Sequence, residues 1–247
     1  MPAKALELGG MLLRSNKFKN PINYWSAYLR RQAPKDGACK LRSGKVISLS
    51  SNPHDIVTVM VNFCRREYGE IKRGWCVVDI GANIGVFTVV AMESGASQVI
   101  AFEPNNEAYE VLRKNVETNE LQDKVQIYHR AVSHLSGESV YIPTSSSPYN
   151  RVQNSASILE NVHEVKTISL ADALSDLYRV DLMKLDCEGA EYQIILRSDP
   201  AVFEKIKRIR MELHPSKSYS RIEVIVHLES MGYQLVRRSG LIFWFER

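Results

Sequence analysis

The chain has 247 residues, 45% of them hydrophobic and 24% charged, with a formal net charge of +4. That length suits one large α/β core, and no run of roughly 18 apolar residues is present to span a bilayer. The first ten residues lack the apolar core of a signal peptide. Cys39, Cys64, Cys76 and Cys187 lie far apart with no Cys-x-x-Cys pair, as expected of a reduced, cytoplasmic protein with neither disulfide frame nor zinc site.

The charge is uneven. Residues 1–50 hold ten Lys/Arg against two Asp/Glu, and the remainder hold 22 against 26. The basic stretch 17–31 includes Tyr24, Trp25 and Tyr28. It is expected to be a helical extension, residues 1–37, that packs these aromatics on a main domain of residues 38–247. Peripheral contact with an anionic membrane surface or a phosphorylated substrate is the other use of such a segment. Turns at 34–37 and 43–44 frame a hairpin over 39–49. Ile56, Val59, Met60, Phe63 and Cys64 recur at helical spacing until Gly69 breaks the pattern.

Next comes Val77-Val-Asp-Ile-Gly-Ala-Asn-Ile-Gly-Val86, an apolar run closing in an acid and two spaced glycines. It predicts a buried strand that turns sharply into a helix. A second strand over 98–102 ends at Glu103, 24 positions after Asp79. Strand, glycine turn, helix, strand and acid outline a nucleoside-cofactor site in a doubly wound sheet. A dinucleotide asks for glycine in the middle of the turn, to admit its pyrophosphate; here that position is Asn83. S-adenosylmethionine has no phosphate, offers two ribose hydroxyls to Glu103 and an ammonium to Asp79, and is the expected cofactor.

A helix opens at Pro104-Asn105 and runs to about 120 with Ala108, Val111, Leu112 and Val116 as its stripe. A third strand covers 125–128, a further one 140–142, and a polar Ser/Asn-rich loop is expected over 143–160. A strand at 165–168 and a helix over 169–177 lead to a strand over 180–185. After a helix at 190–196 come a strand at 208–213, a helix at 221–231, and strands at 233–236 and 241–245 about a turn at 237–240. Alternating strands and helices that end in a hairpin predict a mainly parallel sheet with one antiparallel edge strand.

Ligands in such sheets bind past the carboxyl ends of the strands. The positions to question are therefore 79–85, Glu103-Pro104, Arg130-Ala131, 186–191 and His214. Leu185-Asp-Cys-Glu-Gly-Ala-Glu191 holds three carboxylates in six positions. Glu188 and Glu191 fall near a helix start, where acids suit the dipole. Asp186 ends a central strand and is placed to face the cofactor or to deprotonate an acceptor hydroxyl. His214 is the alternative base, or else a histidine bonded to a loop. The other histidines show no paired spacing. Cys187, between two acids that raise a thiol pKa, reads as a packing residue rather than a nucleophile. No Asn/Asp-Pro-Pro-aromatic motif follows the fourth strand, and the acid cluster suits hydroxyl-rich acceptors.

Together, Val78-Asp-Ile-Gly-Ala-Asn-Ile-Gly85, Ala101-Phe-Glu-Pro104, Asp181-Leu-Met-Lys-Leu-Asp-Cys-Glu-Gly-Ala-Glu191 and Glu212-Leu-His214 resemble the FkbM family of S-adenosylmethionine-dependent methyltransferases. Phe63-Cys-Arg-Arg-Glu-Tyr68 is similar to that family as well. The resemblance covers roughly residues 40–247. Cys187 departs from the more usual valine. The resemblance implies a class I methyltransferase fold, that is, a doubly wound, mainly parallel, seven-stranded Rossmann-like sheet with an antiparallel C-terminal edge hairpin. It implies O-methylation of a hydroxyl on a sugar, glycan or natural product. Expected cofactor contacts are Asp79, Gly81, Ala82, Asn83, Gly85, Glu103, Pro104, Arg130, Ala131 and Asp186. The expected catalytic group is one of Asp186, Glu188 or His214, with no metal. A ribose 2′-O-methyltransferase of RNA using the basic arm, and an inactive binding module of the same fold, are the alternatives.

Overall fold

The computed structural model describes residues 2–143 and 162–247; the loop expected over 143–160 therefore falls almost wholly outside the described residues. Helices α1 (Pro2–Ser15) and α2 (Pro21–Arg30) precede the hairpin of β1 (Ala38–Lys40) and β2 (Val46–Ser48). α3 (Asp55–Met60) widens into a π-helical turn over Val61–Arg65. There follow β3 (Cys76–Ile80), α4 (Val86–Glu93), β4 (Gln98–Phe102), α5 (Asn106–Thr118) and β5 (Val125–Tyr128). β6 (Ala131–Ser133), β7 (Ser139–Pro143), β8 (Val162–Ser169) and α6 (Leu170–Ala173) come next. The chain closes with β9 (Leu182–Leu185), α7 (Glu191–Arg197), a 3-10 turn over Pro200–Lys205, β10 (Arg208–Glu212), α8 (Arg221–Ser230), β11 (Gln234–Ser239) and β12 (Ile242–Glu246).

Seven strands form one sheet in the order β11-β12-β10-β9-β3-β4-β5. β3 lies inside the sheet, parallel to β4 and β9, and every residue of β3 and β9 is buried. A strand covered on both faces must be apolar throughout, which makes Asp79 and Lys184, paired across β3 and β9, the exceptions that need an explanation. Strand order reverses on either side of β3, so the crevice for a ligand opens there. On one face α7 and α8 bury Tyr192, Ile195, Val224 and Leu228 against Met183 and Met211. On the other, α4 and α5 bury Phe87 and Leu112 against Val99 and Leu182.

The first two helices share a third core with α3 and α4. Phe18 and Ile56 are fully buried, and Tyr24 and Phe63 nearly so. Phe18 bridges to Leu41, and the Tyr24 hydroxyl accepts the Lys40 N–H at 2.8 Å. Helices and hairpin thus form one packed layer.

Three local expectations need correction. The C-terminal hairpin of β11 and β12 does form the sheet edge, but its antiparallel strand is β12, which sits between β10 and β11 rather than outermost. The expected turn at 237–240 is tighter: Arg237, Arg238 and Ser239 stay paired in β11, with guanidinium groups stacked over Trp244 and Phe243. The helix expected over 169–177 stops at Ala173, where Lys205 Nζ takes up the Leu174 carbonyl at 3.0 Å. Strands β6, β8 and β7 also form a small separate sheet that the sequence pattern did not reveal.

Candidate active site

A cleft of about 300 Å³ opens at the carboxyl ends of β3, β4, β9 and β10. Its floor is the turn after β3. Gly81 has φ +76°, and a Cβ placed on it would stand 1.9 Å from the Asp186 carbonyl oxygen, so only glycine lets the ends of β3 and β9 approach this closely. The Gly81 and Ala82 N–H groups both donate to the Phe102 carbonyl at 3.0 Å, and Asn83 holds φ +52°. Asparagine tolerates that left-handed conformation better than most residues. Glu103 completes the cradle. One carboxylate oxygen accepts the Asn83 N–H and the other the Asn105 N–H, each at 2.7 Å. Burial pushes this carboxyl up to about 7, against the pull of those two bonds.

Of the expected cofactor contacts, Gly81, Ala82, Asn83, Glu103, Pro104, Arg130, Ala131 and Asp186 all line the cleft. Asp79 and Gly85 do not. Asp79 is fully buried under the turn, 3.1 Å from Lys184 Nζ, and accepts the Thr88 hydroxyl at 2.8 Å. Gly85 serves packing: a Cβ there would meet Leu112 at 2.5 Å. Lys184 was missed by sequence reasoning. Burial works against its charge, but Asp79 and then Asp186 outweigh that and raise its pKa. Its Nζ also donates to the Gly81 carbonyl at 2.6 Å, so one ammonium ties the two strand ends to the glycine turn. A lysine amid the apolar β9 was the available signal.

The catalytic candidates meet on the other wall. The Tyr68 hydroxyl, delivered by the segment after the π-helical turn, donates to Asp186 Oδ2 at 2.8 Å, and Lys184 Nζ lies 3.8 Å from the same oxygen. Burial and the Asp186 charge keep the phenol protonated. Asp186 thereby has one oxygen held. His214 places Nδ1 3.2 Å from Glu191, and Nε2 3.4 Å from Glu188 and 3.8 Å from Glu212. Burial disfavours its charge, but the bond and charge of Glu191, then Glu188 and Glu212, lift it to about 9. That direction favours the protonated ring, held among three carboxylates. Glu188 and Glu212 are each pushed up to about 7 by burial; the His214 charge opposes this and Asp186 reinforces it. Burial, then Glu191 and Asp186, drives the Cys187 thiol well above its ordinary value, as its acidic neighbours suggested. Asp186, Glu212 and His214 present ligand atoms within 4.8 Å of one another.

The Methyltransferase FkbM domain matches residues 79–235 of the chain. The chain belongs to the FkbM methyltransferase family. "Methyltransferase sdnD" of Sordaria araneosa is 26% identical over 194 residues, covering 65% of this chain and 74% of that protein. "Methyltransferase 1" of Beauveria bassiana is 27% identical over 180 residues, covering 64% and 71%. The match to a ribosomal protein L11 methyltransferase of Desulforamulus reducens reaches 28% identity over 105 residues, 42% of this chain but only 32% of that protein. Among solved structures, ribosomal protein L11 methylase from Lactobacillus delbrueckii subsp. bulgaricus is 14% identical, covers 81% of each chain and has a TM-score of 0.44. Magnesium protoporphyrin IX methyltransferase from Synechocystis with bound SAH is 11% identical, covers 71% and 74%, and has a TM-score of 0.42.

The cofactor of this FkbM methyltransferase is S-adenosylmethionine, and the cradle fits it. The turn lines the cleft beside a buried carboxylate whose oxygens each keep a lone pair for a ribose hydroxyl. When bound, the cofactor supplies an electrophilic methyl group. Two further histidines back the cleft residue Pro104: His129 and His163 both bond its carbonyl through Nε2, at 3.0 and 2.9 Å, and stack in series with Tyr109. Their separation of 34 positions hid them from a search for paired spacing. Tyr68, Glu67 and Trp244 lie outside the matched domain. Even so, Trp244 Nε1 donates to the Glu67 carbonyl at 3.0 Å and its ring packs on Gly69, locking the segment that carries Tyr68.

Proposed function

We propose that this methyltransferase transfers its methyl group to a hydroxyl of a sugar, glycan or natural-product acceptor. The observation that carries this reading is the wall of Asp186, Glu188 and Glu212 around His214, facing the cradle across one cleft. Neutral hydroxyls donate to carboxylates, whereas phosphate groups are repelled by them. An alcohol gives up its proton poorly at neutral pH, so a group in this wall accepts it as the carbon–oxygen bond forms. In this reading Asp186, held on one side by Tyr68, orients the hydroxyl with its other oxygen. The proton passes to the carboxylate pair of Asp186 and Glu212, the second of which titrates near neutrality. His214 balances the charge and holds Glu188 in place.

The test is turnover with labelled S-adenosylmethionine against nucleotide sugars, glycolipids and total RNA, followed by variants on the acceptor that is labelled. Asp186→Asn should lower turnover by roughly 10²–10⁴-fold with cofactor affinity kept. Labelling of RNA alone would replace the reading with the nucleic-acid one. Cofactor binding without labelling of any class would favour a binding module.

A further inference from the structure

We propose that the outer face of α1 and α2 is a docking surface for an anionic lipid bilayer. Four of the ten exposed large apolar side chains among the described residues lie on these two short helices: Leu12 (50% exposed), Leu13 (73%), Ile22 (81%) and Leu29 (76%). The inner faces are committed. Met11, Phe18, Tyr24 and Ala27 are buried on the layer formed by α3 and the π-helical turn. Ile22 and Leu29 stand seven positions apart, two helical turns along one side of α2, away from Tyr24 and Ala27.

The charge around these aliphatics selects the occupant. Lys19, Arg30, Arg31 and Lys35 are exposed and Lys17 is half-exposed. Between residues 9 and 42 the sole acid is Asp36, and it pairs with Lys40 at 3.4 Å. Aliphatic side chains flanked by lysine and arginine are the make-up of a helix that lies in the headgroup region of an anionic membrane. A second copy of the chain would bring the same positive charge against itself. Single-stranded nucleic acid would be met by exposed aromatics, but here Tyr24 is buried and Trp25 and Tyr28 are half-buried against each other. No described helix is long and apolar enough to cross a membrane, so the contact is peripheral. The surface is one helix away from the cleft: α3 and its π-helical turn present Ile56, Val59 and Met60 to the docking layer and Val57, Thr58 and Val61 to the cleft. The inference holds whatever the acceptor.

The experiment is co-sedimentation of the full chain with vesicles of phosphatidylcholine, alone or with about 30% phosphatidylglycerol. Binding is expected to the anionic vesicles only, and to weaken in about 0.5 M salt. Lys19→Gln, Arg30→Gln and Arg31→Gln together should reduce partitioning by roughly fivefold per residue. Leu13→Ser, Ile22→Ser and Leu29→Ser together should reduce it by roughly tenfold or more, with unchanged melting since all three side chains face solvent. Failure of the folded wild type to bind anionic vesicles overturns the proposal. So does retention of full binding by the aliphatic variant, which would reduce the effect to diffuse charge. A dimer in light scattering that the aliphatic changes convert to monomer would assign the face to a second copy, and tighter binding to a single-stranded RNA oligonucleotide would assign it to nucleic acid.

Discussion

Glu103 should make cofactor binding depend on pH in a way that reads its role directly. The side chain is 7% exposed and its carboxyl is pushed up to about 7, even with backbone N–H bonds from Asn83 and Asn105. Ribose hydroxyls are best accepted by the ionised form, so binding draws the proton off. Affinity should be flat above about pH 7 and fall by up to roughly tenfold per unit below it, with close to one proton released per ligand on the acid side. The effect on the free protein has the opposite sense. A raised carboxyl stabilises the fold while neutral, so that contribution is complete below the ordinary glutamate value and is lost as pH climbs through about 7. S-adenosylhomocysteine is the ligand to use, because it lacks the sulfonium charge that would couple to Glu188 and Glu212. Calorimetry in two buffers of different ionisation enthalpy counts the proton. Glu103→Gln should flatten the profile and weaken binding by about 1.5–3 kcal/mol, the worth of a charged hydrogen bond. Wild-type affinity that is level across about pH 5.5 to 8, or a Gln variant that binds as the wild type does, would refute the assignment.

Gly81→Ala brings a methyl group to 1.9 Å from the Asp186 carbonyl at a φ of +76°. Strain of about 1–3 kcal/mol and a displaced turn should appear in denaturant melts and as lost S-adenosylhomocysteine binding; normal affinity would show that the turn is not the cradle. Lys184→Met leaves Asp79 buried without its cation and should destabilise by about 3–5 kcal/mol, most of it recovered by adding Asp79→Asn. No recovery would mean the lysine acts through its packing. A chain beginning at Asp36 uncovers Ile56, Met60 and Phe63. At about 1.5–3 kcal/mol for each side chain exposed in full, its melting temperature should fall sharply, and an unchanged melt would refute the layer packing described above.

The order of elements was legible because the core strands have unmixed patterns: Val77 to Ile80 and Val99 to Phe102 are buried on both faces and apolar but for Asp79. The two acids at the ends of β4 and β9 were legible for a related reason, since a carboxylate at the end of a buried strand has few structural uses. Less visible were contacts whose partners are remote along the chain. Tyr68 meets Asp186 across 118 positions and Trp244 meets Glu67 across 177, separations at which sequence periodicity carries no information.

What the sequence determined by itself is therefore the alternation of buried strand and helix, the glycine turn, and the placing of Glu103 and the acids at strand ends that open on one cleft. These follow from local rules: side-chain period, backbone conformation and the cost of burying a charge. Only the tertiary structure decided what each ionisable group does. It set Asp79 against Lys184 beneath the cleft, and it enclosed His214 among Glu188, Glu191 and Glu212, whose charges raise its pKa. The reason is physical. A pKa is fixed by burial and by charges a few ångströms away in space, and in this fold those charges come from β3, β9, α7 and β10, which no short stretch of sequence contains.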